Sequence, residues 1–509
     1  MSWSNWDIPK TGKRLQEWTN KNIFTESFDI GYQRQSQQKY DPFNAWDHDT
    51  NTTTIKEESP LGENGYGSIE VKENNNSYQN SNTGDINMNN IEEEEEEEDP
   101  HGGGQPITAL QAAWNVTNAI QGMFIVGLPV AVKVGGWWTV FFLAGAAYIC
   151  YVTGVLLIDC LYEKNIKVRK SYKEVADTVR PGLGKWVLGA QLLELASTCI
   201  LYLVLAGDLL QGCVPSVDKS AWMMIVSATL LGTAFIDDIR KVSDLSFLNG
   251  VSHLIINAVM LIYCLSEFST WEISKVTFFP RIRSMPTMIG VVVFGYTSHI
   301  FLPSLEGSMV KPTEFRWMLK WSHIAAAIFK VVFGLIGFLT FGEYTQKEIS
   351  NSLPNQTFKI LINLILVVKA LLSYPLPYYA IVQLIMERFF NKNNKSVFRS
   401  CFGADGSLRE WALCLRIILI LLTLTASLSV PYLIEVMGLI GNITGTMLSF
   451  IWPAYFHLVI KQKEGTLTKS EKKFDKFVIF LGAFLMIIGI QYSFLELLNE
   501  IKANRKVDY

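Results

Sequence analysis

The chain has 509 residues, of which 49% are hydrophobic and only 18% are charged, and its formal net charge is −3. No nucleic-acid partner is expected, although the net charge itself says little about partners. The charge is segregated, because residues 1–104 are polar and rich in Asn, Ser, Gln and Glu, whereas apolar segments dominate the remainder. The sequence therefore predicts a polar tail followed by an all-α membrane domain.

Residues 1–104 are predicted to form a disordered cytosolic tail. They contain too few aliphatic residues to offset the entropy lost when a chain becomes ordered. No apolar stretch follows a basic region at the N-terminus, so no signal peptide is expected. The acidic run Glu92–Asp99 near the end of this tail is interpreted as a solvated spacer, with a regulatory tail as the alternative.

About eleven apolar segments follow the tail. A helix needs about 20 residues to cross roughly 30 Å of hydrocarbon, and all but the short fourth segment approach or exceed that length. The segments are 108–133, 136–161, 186–211, 221–236, 247–266, 285–305, 318–341, 357–387, 411–430, 433–460 and 476–498. Residues 105–500 are therefore predicted to form a transmembrane domain, followed by a short C-terminal tail at 501–509.

Basic residues predict the orientation of these segments, because cytosolic loops carry an excess of Lys and Arg. Lys and Arg concentrate in the loops that follow the second, fourth, sixth, eighth and tenth segments. The N-terminus is therefore predicted to be cytosolic, and an odd number of segments places the C-terminus on the lumenal or extracellular side. The sequon Asn355-Gln356-Thr357 falls in a loop on that second side, so Asn355 is a predicted glycosylation site.

Two of the segments, the first and the sixth, are interrupted at matching places. Trp114–Pro129 and Val292–Gly307 each carry Gly and Pro residues in mid-span. Gly122 and Gly127 relax the backbone of the first, and Pro129 removes a donor. Broken backbone at this depth survives only where it lines a cavity or is buried in protein. Discontinuous helices that open two inverted repeats are typical of secondary transporters, whereas kinked helices in close Gly contact are the alternative.

Polar side chains beside the two interruptions are the candidate solute-binding residues. The helix that restarts in the first segment presents free N–H groups and a positive dipole end, which suits a carboxylate. Asn118 and Gln121 lie beside this end, and Phe124 and Phe294 are expected either to wall the pocket or to cover an ammonium group. The sixth segment offers Tyr296, Thr297, Ser298 and His299. For His299, a structural hydrogen-bonded group is the alternative to a titrating one.

Ionisable residues within spans are costly and usually functional. Glu194 in the third segment and Lys369 in the eighth come out at nearly the same depth, so we expect them to pair or to share a polar cavity. Glu194 is then the candidate that titrates during transport, and a static salt bridge is the alternative. Glu306, just past Pro303, is a second candidate for proton coupling, unless it only caps the break.

No catalytic or metal-binding motif stands out, and the chain is predicted not to be an enzyme. It contains no His-Glu-x-x-His and no Gly-x-Ser-x-Gly pattern. The seven cysteines show no metal spacing and are interpreted mostly as buried apolar residues. Cys213 and Cys264 fall near the same face, and a disulfide between them is left open. A channel ranks below a transporter, since no selectivity-filter sequence is evident. A receptor that binds the solute without moving it also ranks below a transporter.

Four stretches carry a resemblance to a known family. They are WNVTNAIQGMFIVGLP at 114–129, YTSHIFLPSLEG at 296–307, KALLSYPLP at 369–377, and LEL at 193–195 with TCILY at 198–202. Together with the segments around them, from Thr108 to Leu498, they closely resemble the vesicular inhibitory amino acid transporters. These belong to the amino acid/auxin permease family, whose fold is similar to that of the bacterial leucine transporter.

The resemblance implies a leucine-transporter-like fold of eleven helices in two inverted five-helix repeats, with helices one and six discontinuous. It implies substrate binding at Gln121–Gly127, including Met123, and at Phe294–Ser298. It also implies that GABA or glycine is loaded into synaptic or other cytoplasmic vesicles. The proton gradient of a vesicular pump would drive this loading, without a bound cofactor and with a role for chloride left open. A monomer in contact with membrane lipid is expected.

The sequence departs from the family's pattern at His299, Val130, Lys133 and Glu435. The substrate therefore stays open among GABA, glycine and β-alanine. A plasma-membrane or lysosomal proton-coupled amino acid symporter of the same family is the alternative function.

Overall fold

The computed structural model describes residues 107–235, 239–271, 273–278, 283–389 and 410–507. The chain divides into two units, Met1–Glu95 and Glu96–Tyr509, and every described residue belongs to the second. The tail predicted for residues 1–104 lies outside the described residues.

Helices account for most of the first half of this domain. In chain order the elements are α1 (Ala109–Gln121), α2 (Leu128–Gly135), α3 (Trp138–Asp159), the strands β1 (Tyr162–Glu163) and β2 (Ile166–Lys167), α4 (Tyr172–Val179), α5 (Leu183–Cys213), α6 (Lys219–Leu230) and α7 (Ile239–Ser266). The strands pair with each other as an antiparallel hairpin.

The second half is helical throughout its described residues, apart from short connections. Its helices are α8 (Met285–Phe294), α9 (Leu302–Gly307), α10 (Phe315–Phe341), α11 (Gln356–Ser373), α12 (Pro375–Phe389), α13 (Glu410–Ser429), α14 (Leu433–Ile440), α15 (Trp452–Glu464) and α16 (Lys469–Val507). Two π-helical turns, Gly441–Gly445 and Met447–Ile451, join α14 to α15.

Helices overlap all eleven predicted segments, but not all of them are uniform spans. Within the described residues, eight helical stretches are long and apolar enough to cross a membrane, and α1 with α2 makes a ninth if the bent pair is one span. The fourth segment is shorter, because α6 has only 12 residues. The sixth is divided between α8 and α9, of 10 and 6 residues. The chain is thus a helical membrane protein.

The long helix α5 lies at the centre of the domain. Leu201, Leu203, Val204 and Leu205 are all fully buried, and consecutive positions of a helix point in different directions. The C-terminal half of α5 is therefore apolar and buried on every side, as expected in a protein interior, and α5 packs against α11, α6 and α12. By contrast, Phe480 and Ile487 of α16 are 71% and 66% exposed, as expected of a helix that faces lipid.

One stretch predicted as a loop, 163–185, contains local structure. The β1–β2 hairpin turns at Lys164 and Asn165, which both have positive φ. Helix α4 begins after Ser171, whose hydroxyl oxygen accepts a hydrogen bond from the backbone N–H of Glu174. The spacing Ser-x-x-Glu is a recognisable start of a helix, so this element was readable from the sequence.

The last helix continues to Val507, so most of the tail predicted for 501–509 is helical as far as the structure describes it.

Cys213 and Cys264 are both free and buried, and the disulfide left open by the sequence is therefore not formed.

Candidate functional site

The first membrane segment is broken between α1 and α2. A 3₁₀ turn, Met123–Gly127, separates the two helices, and their axes differ by 41°. Gly122 has a φ of +26°, a conformation that L side chains rarely adopt, so glycine is needed at this point. Pro129 lies in the first turn of α2, where its missing N–H leaves no hydrogen bond unmade. The predicted interruption is present.

The sixth segment is broken over a longer stretch. Helix α8 ends at Phe294 and α9 begins at Leu302, and turns occupy the residues between them. The last carbonyl groups of α8 carry the negative end of its dipole, and they lie inside the domain, not at its surface. Backbone of this kind needs polar partners, because lipid supplies none.

Aromatic side chains bring the two breaks together. The ring of Phe124, from the first break, lies 5.5 Å from the ring of Phe294 at the end of α8. It also stacks on Tyr202 of α5, with 5.0 Å between ring centroids. All three side chains are buried, as is Gln121 beside them. Phe124 is therefore the point at which both discontinuous segments meet the central helix, and Tyr202 is a site residue that sequence reasoning missed.

The break in the sixth segment holds polar atoms that have no partner among the described residues. Tyr296, Ser298 and His299 are almost fully buried. The Tyr296 hydroxyl, the Ser298 hydroxyl and His299 Nδ1 make no hydrogen bond. Buried polar groups are nearly always paired, so these atoms are available to a solute or to water. Thr297 differs, because its hydroxyl donates to the Val293 carbonyl oxygen at 3.1 Å.

His299 has one partner on a neighbouring helix. Its Nε2 lies 3.0 Å from the hydroxyl of Thr153 in α3. That hydroxyl also lies 2.8 Å from the carbonyl oxygen of Ile149, to which it donates. Since the hydroxyl has one proton, the arrangement favours a His299 ring that carries its proton on Nε2. His299 thus has both a structural contact and a free ring nitrogen.

A buried lysine of α10, Lys330, contacts the break in the sixth segment. Its ammonium group donates to the Gly295 carbonyl oxygen at 2.5 Å and lies 3.8 Å from the centre of the Tyr296 ring. The first contact compensates the C-terminal end of α8, and the second is a cation–π interaction. Sequence reasoning missed Lys330, although it stands in an apolar span just as Lys369 does.

The carboxyl group of Glu194 faces a π-helical turn between α14 and α15. Glu194 is 4% exposed, and its Oε2 accepts a hydrogen bond from the hydroxyl of Thr444. Thr444 lies in the π-helical turn Gly441–Gly445. Such turns are frequent at functional sites because they displace side chains from regular helical positions.

Lys369 does not pair with Glu194, although such pairing was one of the two arrangements expected from the sequence. Its ammonium group contacts Nδ1 of His253 in α7. Among the described residues, no Lys or Arg nitrogen lies within 4.0 Å of the Glu194 carboxylate. The two helices pack together, but equal depth does not fix the direction in which a side chain points. Lys369 and His253 form a separate buried polar group.

Glu306 belongs to a contact at one end of the domain. It is 1% exposed, and Lys167 of β2 donates to its Oε2 at 2.6 Å. The Tyr162 hydroxyl donates to Oε1. Burial raises the pKa of Tyr162, and the hydrogen bond to Glu306 raises it further, so the phenol is the donor. Glu306 thus ties α9 to the β1–β2 hairpin.

Comparison with known proteins identifies the family. The model of the transmembrane amino acid transporter proteins matches residues 105–495. The chain belongs to this family. A vesicular GABA transporter of Caenorhabditis elegans is 57% identical over 498 residues, covering 96% of this chain and 98% of that protein. A human vesicular inhibitory amino acid transporter is 40% identical over 410 residues, covering 78% of each chain. Among solved structures, a Na⁺-coupled sialic acid symporter matches at a TM-score of 0.49 and 12% identity, over 77% of this chain and 91% of that one.

The predicted site residues of this amino acid transporter fall into separate groups. Gln121, Gly122, Phe124 and Gly127 lie in or beside the break of the first segment, and Phe294, Tyr296, Thr297, Ser298 and His299 lie in or beside that of the sixth. The side chains of Asn118 and Met123 lie outside the described part of the chain. Glu194, Lys369 and Glu306 have three different sets of partners. The exposed Asn355 caps α11, accepting from the Phe358 N–H at 3.1 Å.

Proposed function

We propose that this transporter loads a small neutral amino acid, GABA or glycine, into acidified vesicles in exchange for lumenal protons. The observation that carries the proposal is the meeting of two broken helices at Phe124 and Phe294, beside buried polar atoms with no partner. The family membership and the vesicular names of the two relatives support the substrate class and the compartment. A plasma-membrane or lysosomal proton symporter is the alternative.

The architecture we propose has eleven spans in two inverted five-helix repeats. The pair α1 and α2 would open the first repeat, and the pair α8 and α9 would open the second. Their corresponding breaks support this arrangement, because discontinuous helices at matching places of two repeats form the binding sites of such carriers. The distribution of basic residues supports a cytosolic N-terminus and a lumenal C-terminus.

The substrate would lie between the two breaks. Its carboxylate would be held at the N-terminus of α2, where free N–H groups and the dipole favour an anion. Its ammonium group would face the rings of Phe124, Tyr202 and Phe294. Gln121 and the unpaired hydroxyls of Tyr296 and Ser298 would bind the remaining polar groups. Rocking of α1–α2 and α8–α9 against α5 would expose the site to one side at a time.

Proton coupling is assigned to Glu194, in our proposal. In the described structure the only hydrogen bond to the Glu194 carboxyl group comes from a neutral hydroxyl, so this group is free to carry a proton without breaking an ion pair. Lys369 with His253, and Glu306 with Lys167, would hold the surrounding helices during the cycle. A vesicular proton pump would supply the gradient, and no cofactor is invoked. A role for chloride stays open, and the proposed mechanism requires only a monomer.

Uptake into proteoliposomes tests the function. Radiolabelled GABA, glycine and β-alanine are offered to vesicles with imposed pH and voltage gradients, and accumulation that requires an acid interior is the expected result. Accumulation that requires an acid exterior would instead support the symporter.

Glu194→Gln tests the coupling within the same assay. Gln keeps the shape and still accepts from Thr444, but it does not titrate. We expect gradient-driven uptake to fall by about a hundredfold, the lower end of the contribution of a positioned acid–base group, while exchange of internal for external substrate persists. Glu343→Gln, at a side chain that is 66% exposed, is the matched control. Full proton-driven uptake by Glu194→Gln would remove Glu194 from the mechanism.

A further inference from the structure

Charged side chains gather where residues 342–355 join α10 to α11. We call residues 342–355 the connecting loop. The side chains come from α5, α6, α14, α16 and the loop itself, and they are Asp208, Lys219, Lys347, Glu348, Glu435 and Glu500. Four are carboxylates and two are lysines. The group therefore has an excess of negative charge when every member is ionised.

Both lysines are already paired with carboxylates other than Glu348. Lys219 lies 2.5 Å from Asp208 and also donates to the Pro431 carbonyl oxygen. Lys347 lies 2.8 Å from Glu435 and 3.0 Å from Glu500. A third cation nearby, Lys133 of α2, contacts the Glu343 carboxylate at 3.8 Å and backbone oxygens of the same loop.

Glu348 is the member of this group without a cation. It is 4% exposed, and within the described residues no Lys or Arg nitrogen lies within 4.0 Å of its carboxylate. Its Oε2 accepts from the Asn351 amide at 3.1 Å, whereas Oε1 is buried and has no hydrogen-bond partner. An unpaired carboxylate is costly in such a place, and a proton would remove the cost.

The connecting loop packs directly on the first break. A Cβ atom at Gly127 would lie 3.7 Å from the carbonyl oxygen of Lys347, and Ile349 is almost fully buried beside Gly337 of α10. Asn351 accepts from the Asn363 amide at 2.8 Å, and this amide also donates to the Leu209 carbonyl oxygen at 3.0 Å. The loop is thus connected to α5 and α11 on one side and to the first break on the other.

We propose that Glu348 is a proton-binding site that controls closure of the connecting loop over the first break. With a proton, the side chain is neutral and the loop stays packed as the structure shows it. Without the proton, the buried carboxylate lies near that of Asp208, and the loop moves away so that Glu348 reaches water. A proton from the acidic side would then close that end of the transport path. The last step rests on the proposed function, because it takes the vesicle lumen as the acidic side.

The surroundings of Glu348 support this direction of change. Burial raises its pKa from the ordinary value of 4.5 to about 7, and the negative charge of Asp208 contributes to the increase. Lys219, Asn351 and Lys347 act in the opposite direction but do not reverse it. A carboxyl whose pKa is raised in the packed state favours that state below the pKa and disfavours it as the pH rises through about 7.

Hydrogen–deuterium exchange of the full chain in lipid nanodiscs tests the proposal without any substrate. Amide exchange in the connecting loop is measured on either side of neutrality, at about pH 5.5 and about pH 8, and divided by the intrinsic rate at each pH. We expect the loop amides to be at least about fivefold more protected at the lower pH. Glu348→Gln, which keeps the Asn351 contact but cannot ionise, should be equally protected at both.

Two further variants make the outcome decisive. Glu343→Gln, on the same loop but at an exposed side chain, should keep the pH dependence of the wild type. Asp208→Asn removes the neighbouring negative charge and should move the transition to lower pH. Equal protection of the wild type at both pH values, or an unchanged pH dependence in Glu348→Gln, would overturn the proposal. Because this readout needs no transport, a failed uptake assay would count against the proposed function and leave Glu348 assigned.

Discussion

A buried ammonium group needs partners that replace water, and Lys330 finds two of them at the break of the sixth segment. The Gly295 carbonyl oxygen and the Tyr296 ring hold it on the C-terminal end of α8. In carriers with discontinuous helices, such ends are where a mobile cation is coordinated. Here the cation is covalently part of α10. We infer that Lys330 holds the broken helix in the conformation needed for binding.

Replacing Lys330 with Met tests this role. Met keeps much of the side-chain length but leaves the Gly295 carbonyl oxygen without a donor, and a hydrogen bond to a charged group contributes about 1.5–3 kcal/mol. We expect the initial rate of uptake to fall by about tenfold or more, the equivalent of about 1.4 kcal/mol. Lys473→Met, at an exposed position of α16, is the control and should transport normally. Undiminished uptake by Lys330→Met would mean that the break is held without the cation.

The pairing expected for Glu194 and Lys369 shows what a sequence can and cannot fix at this scale. Counting residues from the end of a span gives depth, and both residues are indeed buried in the interior. Depth alone, however, does not determine which neighbour a side chain contacts. The face on which each side chain lies depends on how the helices are rotated, and Lys369 points to His253 in α7. His253 itself lies within the fifth predicted segment, 247–266, where no pattern in the sequence singles it out.

At the scale of elements, glycines allow α8 to approach closely both α14 and the π-helical turn that follows it. A Cβ atom on Gly290 would overlap the carbonyl oxygen of Gly438, and one on Gly441 would overlap that of Gly290. Asn442 also donates to the Pro286 carbonyl oxygen at 2.9 Å. The first half of the broken sixth segment is therefore fixed against α14 by backbone contact, as small residues often allow in membranes.

Gly290→Ala tests this contact. The added methyl group meets backbone atoms, which cannot turn aside as a flexible side chain would, and overpacking of this kind costs about 1–3 kcal/mol. We expect a lower temperature of thermal unfolding in detergent, measured by the loss of monodisperse protein, together with reduced uptake. Gly145→Ala is the matched control, because a Cβ at that position in α3 would meet no atom within 4 Å. Equal stability of the two variants would contradict the close approach.

The elements differ in how far the sequence predicted them. Both breaks were predictable, because Gly and Pro in mid-span interrupt the backbone hydrogen bonding that an intact membrane helix needs. The π-helical turn that carries Thr444 was not predictable, since its position depends on the packing of α14 and of the turn itself against α5 and α8 and leaves no local pattern. Tyr202 was missed for a similar reason, because an aromatic residue in an apolar helix becomes a site residue only when Phe124 is placed beside it.

Over the whole molecule, the two ends of the domain are held by different contacts. At one end, Glu306 of α9 binds the β1–β2 hairpin through Lys167. At the other, the connecting loop lies against the first break and carries Glu348. A carrier that opens to one side at a time must break such contacts alternately. An ion pair that includes the partly exposed Lys167 can exchange with water, whereas the buried Glu348 needs a proton.

The orientation of the whole molecule can be tested at Asn355. The basic loops predict that this exposed sequon faces the lumen, where glycans are attached. The Asn355 side-chain oxygen caps α11, while its amide nitrogen, the atom that a glycan would modify, is not used by that cap. We therefore expect the protein made in animal cells to carry one glycan there, seen as a mobility shift on glycosidase treatment.

Two substitutions separate the glycan from the cap. Thr357→Ala destroys the sequon but leaves Asn355 bonded to the Phe358 N–H, so it should abolish the shift without loss of stability. Asn355→Gln should abolish the shift and also destabilise the start of α11, because loss of an N-cap costs about 0.5–2 kcal/mol. If the protein shows no shift before substitution, while a sequon engineered into the connection 461–468 between α15 and α16 is glycosylated, the orientation is the reverse. The connecting loop would then face the cytosol, away from the acidic compartment.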